Sequence, residues 1–495
     1  MVDTPEKTDP TASSMVELEN GPGEIPTMSD EAWADLDRKT LLRLDLLLVP
    51  LVAMLYLLSF LDRANIGNAR VAGLQMDLGI TDHQYQTAIT VTYVPYIAAE
   101  LPSNLLLKKI GPRIVLPAIC VSWGLITTLQ SQIHNYAGLL ACRFFLGLAE
   151  GGLYPGIILY LSGFYRRHEL QVRVGLFFSA VALSGAFSGL LAAAIQQMDG
   201  IRGLRGWQWI FLLEGLFTVL FGFVVFFALP NDPHQVRTFS PEHVEHCVRR
   251  LKLDVNMQIN EKVTVSTVCS VFKDVHVWVA SINLFCNGAC LFGLAYFTPS
   301  IVQGLGYSRT RTQLLTVPPF ACAFVVTMIA AYLADRFKRR GLTAGCTTSI
   351  ALIGAAMAFT LRSIHGRYAS LILLITGIYS TSPSLISWVP NNSAGHVRRA
   401  TAIAFAVMLC NVGGIVSTWI YPGSSAPYYL FGAKFNLSLI AITIAGCGFQ
   451  VFWLSRLNKL KNERASEMLR DVADLSFEDQ FAKLGDHHPD FKYTY

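Results

Sequence analysis

The stretch LLLVPLVAMLYLLSFLDRANIG, residues 46–67, decides the fold class of this protein. Its first sixteen residues carry no charge. An α-helix needs about 20 such residues to cross the hydrocarbon core of a bilayer, which is about 30 Å thick. Two charged residues, Asp62 and Arg63, lie near the end of the stretch. Charged side chains are energetically costly inside a bilayer, so their presence indicates a structural or functional role. The stretch is predicted to be a membrane-spanning helix.

Eleven more apolar stretches follow along the 495-residue chain. Over the whole chain 52% of residues are hydrophobic and 15% are charged, whereas soluble proteins have about 25% charged residues. A soluble multidomain protein is therefore excluded, and the predicted fold class is an all-α polytopic membrane protein. The twelve transmembrane helices, in two six-helix halves, are predicted at approximately 46–67, 84–106, 114–132, 136–160, 173–197, 207–229, 277–302, 314–334, 342–362, 368–390, 400–421 and 435–456.

A polar stretch between the sixth and seventh predicted helices divides the chain into two halves. Two halves with a site between them are a recurring transporter plan. The first 40 residues hold ten acidic and three basic residues and no apolar run, which predicts a disordered tail without a cleavable signal. The predicted regions are a disordered cytoplasmic N-terminal tail at 1–40, an N-terminal six-helix half at 41–229, a cytoplasmic central loop at 230–276, a C-terminal six-helix half at 277–456 and a cytoplasmic C-terminal tail at 457–495.

Lysine and arginine are distributed unevenly between the two sets of short loops. One set holds twelve of these residues and the other holds eight. Cytoplasmic loops carry the excess of positive charge in membrane proteins. Both termini and the central loop are therefore predicted to lie in the cytoplasm.

Several classes of function are excluded by what the sequence lacks. The ten cysteines lie singly, without a CxxC pair or a His/Cys cluster, so neither a disulfide framework nor a metal site is predicted. The net charge of +5 is small and scattered, which excludes nucleic acid as a partner. No Ser/His constellation lies inside a span, so an enzyme is not expected, and no cofactor is implied.

Four charged residues in the first and fourth predicted helices are the strongest functional signal. Asp62 and Arg63 lie in the first helix, and Arg143 and Glu150 lie on one face of the fourth, about 10 Å apart along its axis. Two pairings are open, Asp62 with Arg143 or Glu150 with Arg63. A structural ion-pair network is one interpretation. The favoured one is that the carboxylates accept protons while an arginine, whose planar fork suits a carboxylate, binds an anionic substrate.

Uncharged polar residues mark the seventh predicted helix. Asn283 and Asn287 are one turn apart. Asparagine inside a membrane usually joins helices together, but facing a cavity it would hydrogen-bond a second polar group of the substrate. Two further acids, Glu100 and Glu214, are expected to have structural or gating roles.

Six motifs occur in order between about residues 40 and 460. They are LDRANIGNA from Leu61 to Ala69, LPSNLLLKK from Leu101 to Lys109, R-F-x-x-G-x-x-E-G-x-x-x-P from Arg143 to Pro155, GLFFSA from Gly175 to Ala180, GWQWIFLLEG from Gly206 to Gly215 and NNSAGHVRRATA from Asn391 to Ala402. In these motifs the chain resembles the major facilitator superfamily, and most closely its fungal anion:cation symporter branch, the allantoate permease-like group.

The resemblance implies a twelve-helix fold whose first, fourth, seventh and tenth helices line a central cavity. It also implies proton-driven uptake of small organic anions. In similar bacterial sugar-acid symporters the corresponding acids are protonation sites, which map onto Asp62 and Glu150. Arg63 and Arg143 are then their charge partners or the substrate anchors.

The loop motif of the superfamily is only partly present. The second half keeps Asp335, Arg336 and Arg340 but has Ala331 at the usual glycine, and the first half has lost the pattern. The resemblance therefore implies a gating role for these three charged residues in the second half.

The function predicted is a proton-coupled symporter that imports a small organic anion, a carboxylate such as nicotinate, pantothenate or allantoate, by alternating access. The alternatives are an exporter working by proton antiport and a nutrient sensor that binds an anion without moving it. The expected partners are the organic anion, protons and the lipid bilayer. A monomer in the plasma membrane is expected.

Overall fold

The structure is a computed structural model that describes residues 30–236, 238–256, 265–337, 339–394, 396–470 and 484–495. The described residues form helices and no strands. Twelve long helical segments, here called spans 1 to 12, run as follows: Asp30–Val71, Asp82–Ile110, Pro112–Gln130, Tyr136–Glu150 continued by Leu153–Ser162, Arg167–Ile195, Gly206–Ala228, Val275–Gln303, Arg309–Phe337, Arg340–Thr360, Ile364–Asn391, His396–Ser417 and Leu430–Glu463.

Eleven of the spans within these described ranges are long and apolar enough to cross a membrane. Span 2 has the length, but polar residues at both of its ends, together with Glu100 and Asn104 inside it, lower its mean hydropathy. Span 2 still packs lengthwise against span 4 and also touches span 11. The predicted all-helical membrane fold is confirmed.

The structure adds helix to three of the predicted regions, namely the N-terminal tail, the central loop and the C-terminal tail. Span 1 begins at Asp30, so residues 30–40 are helical where a disordered tail was expected, and 1–29 lie outside the described residues. The central stretch contains the helices Pro241–Asn256 and Val265–Val271.

Span 12 extends to Glu463, beyond its expected end at 456. Residues 484–495 also pack onto the C-terminal half, where the Trp388 indole donates to the Thr494 carbonyl at 2.8 Å. The C-terminal tail therefore has a structured part that sequence patterns did not indicate.

Span 4 owes its position to small residues and a proline. A Cβ added at Gly147 would lie 2.0 Å from the Thr92 carbonyl oxygen of span 2, so only glycine allows this approach. Pro155 lacks the N–H that would bond to the carbonyl of Gly151, and the helix is interrupted at 151–152. Glu150 is thereby the last residue of the first segment.

The two halves contact each other toward the end predicted to face outward. Spans 1 and 7 are in direct backbone contact at Gly67, where an added Cβ would lie 2.3 Å from the Tyr296 carbonyl oxygen. Spans 2 and 11 meet through the hydroxyls of Thr90 and Thr418, 2.7 Å apart. These contacts form a seam that begins close to the charged residues of span 1.

Candidate functional site

The four charged residues of spans 1 and 4 all lie inside the protein. Asp62, Arg63, Arg143 and Glu150 are each at most 9% exposed. A charge facing lipid costs about 2.5–3.5 kcal/mol on insertion scales, so an inward orientation is the physical expectation. The orientation brings the four side chains into one polar region within the N-terminal half.

Of the two pairings that the sequence leaves open, the structure forms the one between Arg63 and Glu150. The Arg63 Nε donates to Glu150 Oε1 at 3.1 Å, and the Ser59 hydroxyl donates to the same oxygen. The guanidinium carbon of Arg63 lies 4.9 Å from the ring centre of Tyr96 and 5.7 Å from that of Phe292. Glu150 therefore has a counter-charge, held among aromatic rings.

The Arg63–Glu150 pair lies next to the seam between the halves. Phe292, which borders Arg63, belongs to span 7 of the C-terminal half. Beside it, the hydroxyls of Tyr93 and Tyr296 are 2.9 Å apart and join span 2 to span 7. A change in the contact between Arg63 and Glu150 would therefore affect the packing between the two halves.

Among the described residues, Asp62 has neutral hydrogen-bond donors and no salt bridge. The Trp123 indole donates to its Oδ2 at 2.9 Å, and the Asn65 amide donates to its Oδ1 at 3.3 Å. The same Asn65 nitrogen donates to Glu214 Oε2 at 2.5 Å. Glu214, expected from the sequence to have a structural or gating role, is therefore linked to Asp62 through one amide.

Arg143 is buried without a hydrogen-bonded counter-ion. It is 2% exposed, and its Nε and Nη2 have no partner among the residues that the structure describes. It interacts with Asp62 and Tyr296 only through longer-range electrostatics. Its guanidinium carbon lies 6.0 Å from the ring centre of Phe211. A buried charge left unpaired costs several kcal/mol, so a further hydrogen-bond acceptor at the Nε and Nη2 edge would be stabilising.

The two asparagines of span 7 have different surroundings. The Asn283 amide faces span 12, where it approaches the Cys447 sulfur at 3.9 Å and lies against Gly446. This is a helix-packing position, although the Asn283 oxygen is also buried without a hydrogen-bond partner among the described residues. The substrate-binding role predicted for Asn283 stays a prediction. The Asn287 amide donates to the Ser382 hydroxyl of span 10 at 2.6 Å, and its oxygen has no partner within the described ranges.

The three residues predicted to form a gate lie at the opposite end from the seam. Arg340 pairs with Asp335 at 3.2 Å and donates to the Ser387 carbonyl at 2.9 Å, which ties spans 8, 9 and 10 together. Arg336 is exposed. Their gating role stays a prediction.

Sequence reasoning missed the neutral partners of the charged residues. Ser59 lies four residues before Arg63 and Asn65 lies three residues after Asp62, so helical spacing from a charged residue was the available signal. Trp123 and Glu214 come from spans 3 and 6, and no sequence pattern connects them to span 1. In the described part of the chain, no group of three or more His, Cys, Asp or Glu residues is arranged to hold a metal ion.

Two bundles of six spans, joined along a seam with buried charges beside it, define the class of protein as a multi-pass membrane transporter. The chain belongs to the Major Facilitator Superfamily, whose family model matches residues 52–418.

Several fungal transporters are similar to this chain over nearly its whole length. The high-affinity nicotinic acid transporter of Saccharomyces cerevisiae is 33% identical over 470 residues, covering 93% of this chain and 85% of the relative. An uncharacterized transporter of Schizosaccharomyces pombe is 35% identical over 447 residues, covering 90% and 89%. The MFS-type transporter cnsO of Penicillium expansum is 32% identical over 515 residues, covering 97% and 98%.

Solved structures share the fold at low sequence identity. The xylose transporter XylE from E. coli, in a partially occluded inward-open conformation, aligns with a TM-score of 0.61 at 13% identity, covering 80% of this chain and 95% of the other. A bacterial homolog of the human lysosomal transporter Spinster, in an inward-facing and unoccupied conformation, aligns with a TM-score of 0.64, again at 13% identity, covering 81% and 95%. These similarities agree with the helical architecture described above.

Proposed function

We propose that this protein is a proton-coupled symporter that imports a small organic anion, a carboxylate such as nicotinate, pantothenate or allantoate, by alternating access. The observation that carries the proposal is the Arg143 guanidinium, which is buried and has two free donors. We further propose that the protein works as a monomer in the plasma membrane.

The free donors of Arg143 suit a carboxylate in particular. Nε and Nη2 form one edge of the guanidinium, and their N–H groups point in the same direction. Two parallel donors match the two oxygens of a carboxylate, which gives a bidentate pair. Because Arg63 is already paired with Glu150, Arg143 is the arginine proposed to hold the substrate.

The surroundings of Arg143 favour an anion with a flat or apolar body. The ring of Phe211 lies near its guanidinium, and Tyr296 interacts with it from the C-terminal half. The similarity to a nicotinic acid transporter supports nicotinate, an aromatic carboxylate, among the candidates. Asn287 is the proposed contact for a second polar group of the substrate, because its amide oxygen is buried without a partner in the described residues.

Proton coupling is proposed to use Asp62 and Glu150. Protonation of Glu150 would remove its attraction to Arg63, and this pair lies beside the seam that must part when the cavity opens outward. Asp62 is the carboxylate that interacts electrostatically with Arg143. Binding of an anion to Arg143 would therefore raise the tendency of Asp62 to take up a proton.

The proposal is tested with purified protein in proteoliposomes and a panel of labelled carboxylates. A pH gradient that is alkaline inside should drive accumulation of one panel member above its external concentration. Collapse of the gradient with a protonophore should abolish the accumulation. Uptake that does not respond to the gradient would contradict proton symport, and binding without any flux would favour the sensor alternative.

A further inference from the structure

Asp62 and Glu214 form a second acidic centre that is separate from the Arg63–Glu150 pair. Both carboxyl groups accept from the two hydrogens of one amide nitrogen, that of Asn65, at 3.3 and 2.5 Å. Asp62 is 4% exposed and Glu214 is 5% exposed. The two acids come from spans 1 and 6, so the fold, and not sequence proximity, brings them together.

The charged and titratable groups around this centre come from spans 3 and 4. They are Arg143, the Cys120 thiol and Glu150, whose charge is balanced by Arg63. Arg143 is the cation that interacts electrostatically with Asp62, and Asp62 in turn interacts with Glu214. Two ionised carboxylates with one cation would leave an uncompensated negative charge in a buried site, which is strongly unfavourable.

The hydrogen bonds distinguish the two acids. Each oxygen of Asp62 accepts a bond, one from Trp123 and one from Asn65, which suits an ionised carboxylate. Glu214 accepts at Oε2, whereas its Oε1 is buried without a partner among the described residues. Glu214 is thus the poorer place for a negative charge.

We propose that Asp62 and Glu214 form one titrating unit, which holds a single proton while Arg143 is free and takes up a second when a monocarboxylate binds Arg143. This inference rests on the proposed function for the identity of the ligand. Glu214, through Asn65, is then a proton-binding residue in addition to Asp62.

The charge balance shows why the ligand should be a monoanion. With one proton, the two acids carry a charge of −1, which Arg143 balances. When a monocarboxylate binds, its charge balances Arg143, and the second proton neutralises the remaining acid. The proton comes from the solvent on the open side and leaves with the substrate on the other. A dicarboxylate would leave one negative charge unbalanced in the same site.

Infrared spectroscopy of the reconstituted protein tests the shared proton without any ligand. Protonated carboxyl groups have a C=O absorption that ionised groups lack. As pH is raised in the wild type, this absorption should disappear in two separate steps from the pair. Glu214→Gln should remove one step and move the other, because Asp62 no longer faces a second acid. Asp62→Asn should likewise leave a single step, that of Glu214, at a shifted pH, because Glu214 no longer faces a second acid.

Glu100→Gln is the matched control, since Glu100 is a half-buried acid on span 2 without a bond to this centre. It should remove only its own contribution and leave both steps in place. A Glu214→Gln spectrum that matches the wild type would overturn the inference. If Glu214→Gln does not fold, Asp62→Asn and Glu214→Asp are compared with the wild type instead. Steps that stay at their wild-type pH in both variants would overturn the inference.

The two proposals fail in different ways. If the infrared steps are present but no carboxylate is accumulated, the shared proton stands and the proposed function is wrong. If gradient-driven uptake is found and Glu214→Gln leaves the spectrum unchanged, symport stands and the role of Glu214 is wrong.

Discussion

Replacing Arg143 by lysine keeps the positive charge of the site but removes its fork of two parallel donors. The side chain is 2% exposed, and its Nε and Nη2 are free within the described structure. If these two donors bind the substrate carboxylate, Arg143→Lys leaves one ammonium to make a single directed contact. We therefore expect weaker substrate binding despite the unchanged charge.

The expected loss follows from one charge-assisted hydrogen bond. Such a bond contributes about 1.5–3 kcal/mol. At about 1.4 kcal/mol per tenfold change in Kd, binding should weaken roughly 10- to 150-fold. The loss of affinity should be of similar size for every carboxylate that the protein binds, because the substitution affects the contact with the carboxylate group that all of them share.

The assay is equilibrium binding of the carboxylate identified in the uptake panel, with protein in detergent. Arg311→Lys serves as the matched control, because Arg311 is exposed at the start of span 8 and lies over the ring of Tyr307. It should bind as the wild type does. Thermal unfolding of each variant shows whether the protein is folded.

Stability separates a ligand-binding arginine from a structural one. Arg143→Met removes a buried charge that has no bonded partner among the described residues, and a second proton on the Asp62–Glu214 unit would restore the charge balance. At acidic pH the ligand-free protein should therefore be at least as stable as the wild type. Arg63→Met breaks the buried pair with Glu150 and should destabilise by about 3–5 kcal/mol. Unchanged affinity in Arg143→Lys, or marked destabilisation in Arg143→Met at acidic pH, would refute the reasoning.

Three further predictions follow from the contacts. Glu150→Gln should abolish proton-driven accumulation but retain substrate counterflow, which needs no net proton movement; normal accumulation would remove Glu150 from the coupling mechanism. Gly147→Val places a side chain within 2.0 Å of the Thr92 carbonyl oxygen and should lower the thermal midpoint sharply, while Gly448→Ala, which meets nothing within 4 Å, should not. Asn283→Ala should leave substrate affinity within about twofold of wild type, because its amide faces span 12; a larger loss would support the predicted binding role.

Hydropathy predicted the spans because the bilayer imposes a length and a composition on each helix. Hydropathy did not predict helical segments that are held by contacts between distant parts of the chain. Residues 30–40 are polar, yet they extend span 1, and the Asp37 carboxylate pairs with Arg250 of the central helix at 3.3 Å. Contacts of this kind depend on residues about two hundred positions apart and leave no local pattern.

The candidate site was predictable in its charged residues but not in their pairing. Helical spacing placed Arg143 and Glu150 on one face, which left two pairings with span 1 open. Which pairing forms depends on helix rotation and on the neutral donor Trp123 from span 3. For the same reason the sequence indicated only a structural or gating role for Glu214, since its link to Asp62 passes through an amide on another helix.

The luminal pH of proteoliposomes tests the central claim most directly. Vesicles with purified protein are exposed to each carboxylate in turn, and protein-free vesicles correct for weak acids that cross the bilayer unaided. Proton symport with an anion held by Arg143 predicts extra acidification of the lumen with at least one carboxylate, and a smaller initial rate in Arg143→Lys at limiting substrate. Alkalinisation of the lumen, or acidification that is the same with and without protein, would contradict the account.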